Sequence, residues 1–478
     1  MNDTRRAPAD PKQRSGETDN QRNKPRFGLS LASWLPGSLI LSLACAAALS
    51  VLAPSKPLAQ EAMKTLTLDQ ALQIALEKNR DVQKAEEYRS WVRGKYVEER
   101  AAALPQLSAT AYGQRQHDES LRGLYGQYGD LFPVQQDIRS GEIGLSQALY
   151  TWGQVGAAIR AAKVGMLTAE EGLRQARQAA LRDVSAAFYD VLLSKEVLAI
   201  ARQNLEQKER HSQEAQKRFA LGTATDYDVL AARVAVENAR PEVIRADNAV
   251  RLARLRLAFL LAETRETVDA AGDLAATPRT PPDYGQALSL ALQFRPDLRS
   301  LEQTKEIYAE LVKIARAGDK PRLDFKAAYG SRKYLVGDLD SHGKTWNAGV
   351  FLSFPFFDGM RTRGRILQAR SDLTTADIEL QKARDQAALQ VRGALDQLDE
   401  AAEVVKAIEG TVAQAERLLS MAEKGFEYGV KTKLDVDDAE LGLVQARGSL
   451  ALARRDYLVA LVNLQWVQGV LGESQGGS

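Results

Sequence analysis

After Trp152 the apolar positions settle into a helical rhythm. Ile159, Ala162, Met166, Ala169, Leu173, Ala176, Ala180, Val184, Ala187, Val191, Ser194, Leu198, Ala201 and Leu205 stand three or four residues apart. One four-four stutter falls at Ala176, Ala180 and Val184; the rest is the seam of a coiled coil. No proline interrupts the chain between Val134 and Arg240. The pattern predicts one helix over about residues 155–218, roughly 95 Å long at 1.5 Å per residue. That is a rod, too long for a compact domain. Its seam residues are mostly small, which lets helices approach closely on more than one side, as in a packed wall.

The period then changes to two in four places. In LDFKAAYG, Leu323, Phe325, Ala327 and Tyr329 alternate with Asp324, Lys326, Ala328 and Gly330. In WNAGVFLSFPF, Ala348, Val350, Leu352, Phe354 and Phe356 alternate with Asn347, Gly349 and Ser353. This predicts strands at about 322–332 and 346–356, with a weaker pair at about 107–115 and 141–149. Strands of about 9–11 residues, apolar on one face with tyrosine and tryptophan near the ends, suit either a bilayer crossing or a half-buried soluble hairpin. If they cross a bilayer, four strands cannot close a barrel and an open edge is not tolerated in hydrocarbon. Chains must then combine into totals such as eight, twelve or sixteen strands with cyclic symmetry.

The whole arrangement is written twice. LDQALQIALEKNRDV, Leu68–Val82, corresponds to YGQALSLALQFRPDL, Tyr284–Leu298. Each opens with a helix-start signal, Thr67 with Gln70 and Asp283 with Gln286, and each breaks at Asn79-Arg80 or Arg295-Pro296. Pro105-Gln106-Leu107 matches Pro321-Arg322-Leu323, and FALGTATDYDVLAARVAVENAR, Phe219–Arg240, matches FEYGVKTKLDVDDAELGLVQAR, Phe426–Arg447. The first copy is longer only between about Tyr112 and Leu145, which marks a loop. Each repeat therefore reads short helix, helix, strand pair, very long helix, turn, long helix. The boundaries are 60–282 for the first repeat, 283–467 for the second and 468–478 for a flexible tail.

Residues 1–59 precede this. A polar, net basic start leads to the apolar run SLILSLACAAALSVLA, residues 38–53, which reads as a secretory signal cleaved between Ala48 and Ala59 or, alternatively, as an uncleaved anchor. Cys45 lies within the run, but Ser42 occupies the place where a lipoprotein signal carries an aliphatic side chain. No other segment approaches 18 consecutive apolar residues, so any further membrane crossing must be something other than a helix. With 64 basic and 62 acidic residues, the chain offers no electrostatic reason to expect nucleic acid. One cysteine and three histidines are too few for a structural zinc site, and no cofactor is implied. No nucleophile stands beside a base, and the glycine-rich GLYGQYG at 123–129 precedes no helix with a phosphate-binding lysine, so it reads as a loop. An enzyme is not expected.

The duplicated turn has a local reading. Gly222 and Gly429 allow a helix to end, Thr225 and Thr432 cap the next helix, and Asp228 and Asp435 fall at its third position, where negative charge suits the dipole. The tip turns run over about 219–228 and 426–435. Around a symmetry axis each such carboxylate becomes a ring of charge. Pro241 and Gly448 occupy equivalent places further along, where each could bend its helix.

The duplicated QAL-x-x-AL start, the Leu-Pro-Gln-Leu strand entry, LSQALYTWG at 145–153 with FLSFPFFDG at 351–359, and the doubled F-x-x-G-x-x-T-x-x-D-V turn resemble the TolC-like outer-membrane efflux protein family over residues 65–470. The resemblance implies a mainly α chain with membrane β-barrel strands. Four strands per protomer would complete a trimeric 12-stranded barrel in outer-membrane lipid, continuous with a long α-helical coiled-coil tunnel through the periplasm. It implies a homotrimeric exit duct that works with a periplasmic adaptor and an inner-membrane RND or ABC transporter, in efflux or type I secretion. The alternative is an anchored periplasmic coiled-coil scaffold or adaptor without a pore.

Within this resemblance the tunnel's closing links fall on Asp228, Phe426 and Lys431, and the aspartates that line the constriction fall on Asp435 and Asp438. Phe426 lacks the hydroxyl of the family's tyrosine, which Tyr428 could supply, and Lys431 cannot make an arginine's fork. Asp435 and Asp438 are expected to make the aperture cation-selective, and Lys431 to pair with Asp228 or a neighbouring carboxylate. Ala148 stands where the family has proline, whereas Pro355 keeps it in the second copy.

Overall fold

The computed structural model describes residues 64–121, 135–263, 268–275, 281–336 and 339–472. The expected signal segment with Cys45, and GLYGQYG at 123–129, lie outside the described residues. Strand β1 (Lys64–Leu66) leads into helices α1 (Leu68–Lys78) and α2 (Arg80–Ala101), strands β2 (Gln106–His117) and β3 (Gln135–Tyr150), and helices α3 (Gln154–Ala220) and α4 (Asp226–Leu260). After β4 (Val268–Ala270) the order repeats as α5 (Tyr284–Phe294), α6 (Pro296–Arg316), β5 (Arg322–Val336), β6 (Leu339–Ser353), α7 (Arg361–Glu427) and α8 (Lys433–Val467). The duplicated order expected from the sequence is the order observed.

The two copies agree in length as well as order. Both long helices have 67 residues and both return helices have 35, so each rod is about 100 Å long. The seam of small and branched residues does the packing. Val184 and its second-copy counterpart Val391 are both fully buried, each at the centre of its own apolar cluster. Phe188 and Leu395, then Leu257 and Leu464, repeat the correspondence.

At the helix starts, Thr67 forms the expected reciprocal box with Gln70 (3.1 and 3.4 Å). Asp283 instead accepts from the Gly285 and Gln286 amides, an Asx-type cap in place of the box. The two break positions share a slot with different chemistry. Buried Asn79 caps α2 through the Asp81 amide and donates its own Nδ2 to the Leu260 carbonyl at the end of α4 (2.9 Å). Buried Arg295 grips Asp297 with two bonds and reaches Gln390 and the Val467 carbonyl at the end of α8. Each staples the far end of its own return helix to the start of its repeat.

Three boundaries differ from expectation. The strands are longer than the predicted 107–115, 141–149, 322–332 and 346–356, because their hydrogen-bond ladders continue past the point where the apolar alternation stops. β6 nonetheless ends at Ser353, since Pro355 cannot donate to a ladder. Phe354 and Phe356 lie beyond the strand. The start of the expected flexible tail at 468 is instead packed: Gln468 and Leu471 are buried, and the Gly469 carbonyl accepts from Gln178 of α3 (2.7 Å). The short parallel pair β1–β4 had no readable signal. It joins the start of the first repeat to the linker between repeats, where Arg254 and Lys195 hold the carboxylate of Asp269 (2.9 and 3.2 Å).

Each strand turns into its long helix through two successive left-handed residues, Trp152-Gly153 and Gly359-Met360. These are the same two positions in each copy, with glycine taking one of them each time. A tryptophan and a methionine at positive φ are uncommon. Both corners keep this conformation at the two residues immediately before the rod begins.

Candidate functional site

Two regions carry the chemistry: the four-stranded sheet at one end of the rods and the paired turns at the other. The sheet is ordered β2-β3-β5-β6, antiparallel throughout. Residues paired across strands point to the same face, and successive residues to opposite faces. The register therefore sorts the side chains. One face stacks the rows Leu323–Leu352, Phe325–Val350, Leu107–Leu145–Ala327–Ala348 and Ala109–Ile143–Tyr329–Trp346, and most of these large apolar side chains are exposed in the single chain. The opposite face carries Ser108–Ala328–Asn347, Thr110–Glu142–Thr345 and Tyr112–Ser140–Arg332. An apolar face fit for lipid thus backs onto a polar face fit for water. The strands β2 and β6 form its two edges.

At the other end both turns obey one local plan. The chain leaves α3 through Gly222 (φ +75°) and α7 through Gly429 (φ +76°), whose amides bond back to the carbonyls of Phe219 and Phe426. Thr225 and Thr432 then cap α4 and α8. Each hydroxyl accepts from the amide three residues on, and the Asp228 or Asp435 carboxylate takes the threonine amide (2.8 Å) and hydroxyl (2.7 Å) in return. The Thr225 amide and hydroxyl hold Asp228 below the usual carboxylate range.

The second turn has a further lock. Lys431 meets Asp435 in its own turn (3.2 Å), not Asp228. The hydroxyl and amide of Thr432, with Lys431 added, bring Asp435 down to about 2. Gly425 makes room for this: a Cβ there would fall 2.5 Å from the Lys431 Cγ. The equivalent first-copy residue is Arg218, so the two turns differ by design at this position.

Arg218 has another task. Its guanidinium lies over the Phe426 ring, 5.4 Å from the centroid, and Phe426 packs on Ala422, Val436 and Ala439. The ring face thus joins the first hairpin to the second through a cation–π contact, a link that needs no hydroxyl. Tyr428 is 79% exposed and Asp438 is exposed; neither takes part in this junction. Pro241 lies within α4, and Gly448 has open space where a Cβ would be.

The strongest junction is one that sequence reasoning missed. Glu440 of α8 is only 2% exposed, and one turn of α3 converges on it. Gln207 Nε2 (2.6 Å), Lys208 Nζ (2.5 Å) and His211 Nε2 (2.6 Å) all reach its carboxylate. Lys208 also reaches Asp437 (3.2 Å), which Lys433 holds at 2.6 Å. Burial opposes the charge on Glu440, but hydrogen bonds from His211 and Lys208 outweigh it and hold the carboxyl down to about 2. Burial likewise works against charge on Lys208, and its acidic partners raise it instead. Further up the rods, Arg447 joins Gln203 to Glu416 and Arg455 grips Asp190. A polar ladder therefore binds the hairpin α3–α4 to the hairpin α7–α8. The only sequence signal was polar residues at Gln207, Lys208 and His211 on one face of α3. Nothing near them in sequence named the carboxylate they serve.

The model of the outer membrane efflux protein family matches residues 71–263 and 287–470, one segment for each repeat. The chain belongs to that family. It is 28% identical over 312 residues to the alkaline protease secretion protein AprF of Pseudomonas aeruginosa, spanning 64% of this chain and 65% of that one. It is 24% identical over 387 residues to the outer membrane protein TolC of Vibrio cholerae, spanning 78% and 84%. A crystal structure of a membrane protein from Pseudomonas aeruginosa superposes with a TM-score of 0.71 at 25% identity, over 84% of this chain and 93% of that one. The outer membrane channel CmeC of Campylobacter jejuni reaches 0.74 over 88% and 92%; at 17% identity that likeness speaks for the fold alone. As a member of the outer membrane efflux proteins, the chain is an outer-membrane exit duct whose helices stand in the periplasm. The relatives named here are channel and secretion proteins, not enzymes.

One consequence at the second turn can be measured directly. Lys431→Ala should raise single-channel conductance modestly by freeing the turn. Gly425→Ala should do the same, because its methyl displaces the lysine stem. A conductance unchanged in both variants would reject Lys431 as a closing element.

Proposed function

We propose that three copies of this chain close a barrel of twelve strands, β6 of each pairing with β2 of the next, and continue it as a helical tunnel whose duplicated turns form the periplasmic aperture. The observation that carries this is the four-stranded sheet, apolar on one face, polar on the other and unpaired at both edges. Four strands cannot enclose a lumen, and hydrocarbon tolerates no open edge. The duct is passive. A periplasmic adaptor would dock on the tips and an inner-membrane RND or ABC transporter would supply energy, in efflux or type I secretion as with the relative named for alkaline protease secretion.

The tips set selectivity by position. Asp435 is taken up by its threonine cap and Lys431, whereas Asp438 is exposed and, among the described residues, meets no cation within ion-pair distance. Threefold repetition of Asp438 forms the more effective charged ring. The purified protein should run as a trimer by native mass spectrometry and give cation-selective channels in planar bilayers. Asp438→Ala should remove most of that selectivity, while Asp435→Ala should chiefly loosen the turn. A monomer without conductance would overturn the proposal, and selectivity unchanged in the double variant would reject the ring.

A further inference from the structure

The sheet's outward face does not end where the apolar rows end. One same-face step beyond Tyr329 and Trp346 comes the row Ala111–Gly141–Ser331–Lys344, and one step further comes Gly113–Arg139–Lys333–His342. Each step is about 7 Å along a strand, or roughly 5 Å along the membrane normal at the usual tilt. These rows lie on the side away from the helices, so they emerge from the bilayer into the headgroups of the outer leaflet. Tyrosine and tryptophan mark that boundary, and cationic side chains follow it directly.

The charges on this face are unequal. Asp137 is held at 2.6 Å by Arg115 and Asp340 at 2.7 Å by Lys333, so the two acids of the next row are already matched. Arg139 and Lys344 are exposed and, among the described residues, have no carboxylate within ion-pair distance. Glu142 and Arg332 belong to the opposite face by register. Around the two rows lies a shallow cavity of about 940 Å³ whose lining takes in Arg139, Lys333, His342 and Lys344 together with Tyr112, Ser140 and Arg332 of the opposite face. A second cavity of about 480 Å³ is lined by Lys344, Tyr329 and Ile143 together with Thr110 and Glu142 of the opposite face. Along the outward face the apolar rows thus run without a break into cationic ones. A molecule that fits both is an acylated sugar phosphate with its chains against the apolar rows and its phosphate on the cationic ones.

We infer that Arg139 and Lys344, with Lys333 and His342 beside them, form a binding site for the phosphorylated glycolipid of the outer leaflet. This rests on the outer-membrane barrel proposed above. The phosphate accepts hydrogen bonds from the guanidinium and ammonium groups while the acyl chains cover the Tyr329–Trp346 row. Each cation close to an anionic membrane surface contributes about 1 kcal/mol, which corresponds to about fivefold in affinity.

The test uses the purified full-length protein in nanodiscs, titrated with bisphosphorylated lipid A, dephosphorylated lipid A, phosphatidylglycerol or inorganic phosphate. Lipid A should bind tightest. Arg139→Gln and Lys344→Gln should each weaken it about fivefold and the pair about 25-fold, whereas R139K/K344R should retain it. Wild-type protein that binds dephosphorylated lipid A equally well, or binding unchanged in the single variants, would overturn the site. Displacement of lipid A by millimolar inorganic phosphate would show a free-phosphate site and overturn the lipid assignment. Channel conductance measured on the same preparations keeps the two proposals apart. Glutamine variants that conduct normally but lose lipid A support the site, while wild-type protein that fails to conduct counts against the barrel.

Discussion

Glu440→Gln should open the periplasmic end of the tunnel, seen as a severalfold rise in single-channel conductance. The substitution removes the charge on which Gln207, Lys208 and His211 converge and leaves a half-buried ammonium with only the more exposed Asp437 as partner. Breaking a buried pair by removing one partner costs about 3–5 kcal/mol, enough to shift the balance between hairpins that also meet at Arg218–Phe426. The charge-swapped pair Lys208→Glu with Glu440→Lys should recover part of the closed state, which a purely steric role for Glu440 would not allow. A conductance equal to the parent's in the single variant would remove Glu440 from the gate.

The same junction sets a pH window. Glu440 has its folded value lowered from 4.5 to about 2, so ionisation favours the folded arrangement. That contribution is complete above about pH 4.5 and is lost as the pH falls towards 2. Its full size is on the order of 3 kcal/mol. Asp435, also held at about 2, loses its charge over the same acidic range. Acidification below pH 4.5 should therefore loosen the tips progressively, with little change between pH 5 and neutrality from these two groups.

Val350→Arg should abolish assembly in the membrane. Val350 projects from the apolar face in the row with Phe325 and is exposed in the single chain. A charged residue on the lipid face near the midplane of a barrel costs about 2–4 kcal/mol, and the proposed trimer would apply that cost three times. Asn347→Arg, three residues away on the opposite face, should leave trimers in the outer-membrane fraction and alter only ion selectivity. Fractionation with heat-modifiable gel mobility reads both. Normal assembly of the Val350 variant would mean that the two faces are assigned the wrong way round.

The sequence exposed what is periodic and local. The seam from Ile159 to Leu205, the alternation from Leu323 to Tyr329 and the caps at Thr225 and Thr432 each depend on residues within a few positions of one another, and each appears in the structure. Strand ends were less legible because hydrogen bonding and hydrophobicity stop at different places. β5 continues to Val336 although its outward side chains turn basic after Tyr329. Long-range partners were not legible at all. Lys208 finds Glu440 in the other repeat, 232 residues away, and Gly425 acquires its meaning only once Lys431 is seen lying over it. The family pattern drew attention to the tyrosine missing at Phe426, but a benzene ring can face a guanidinium, and the alignment had no means of offering Arg218.

The matched helix lengths carry a consequence for how such a chain can change. Both rods have 67 residues and both return helices 35. One residue removed from a single rod would retract its turn by about 1.5 Å and rotate everything beyond it by about 100°. That rotation would carry Lys208 and His211 away from Glu440. The two copies thus act as calipers for each other: side chains at the tips are free to diverge, as Arg218 and Gly425 have, but length can be edited only in both copies together, by whole turns of the seam.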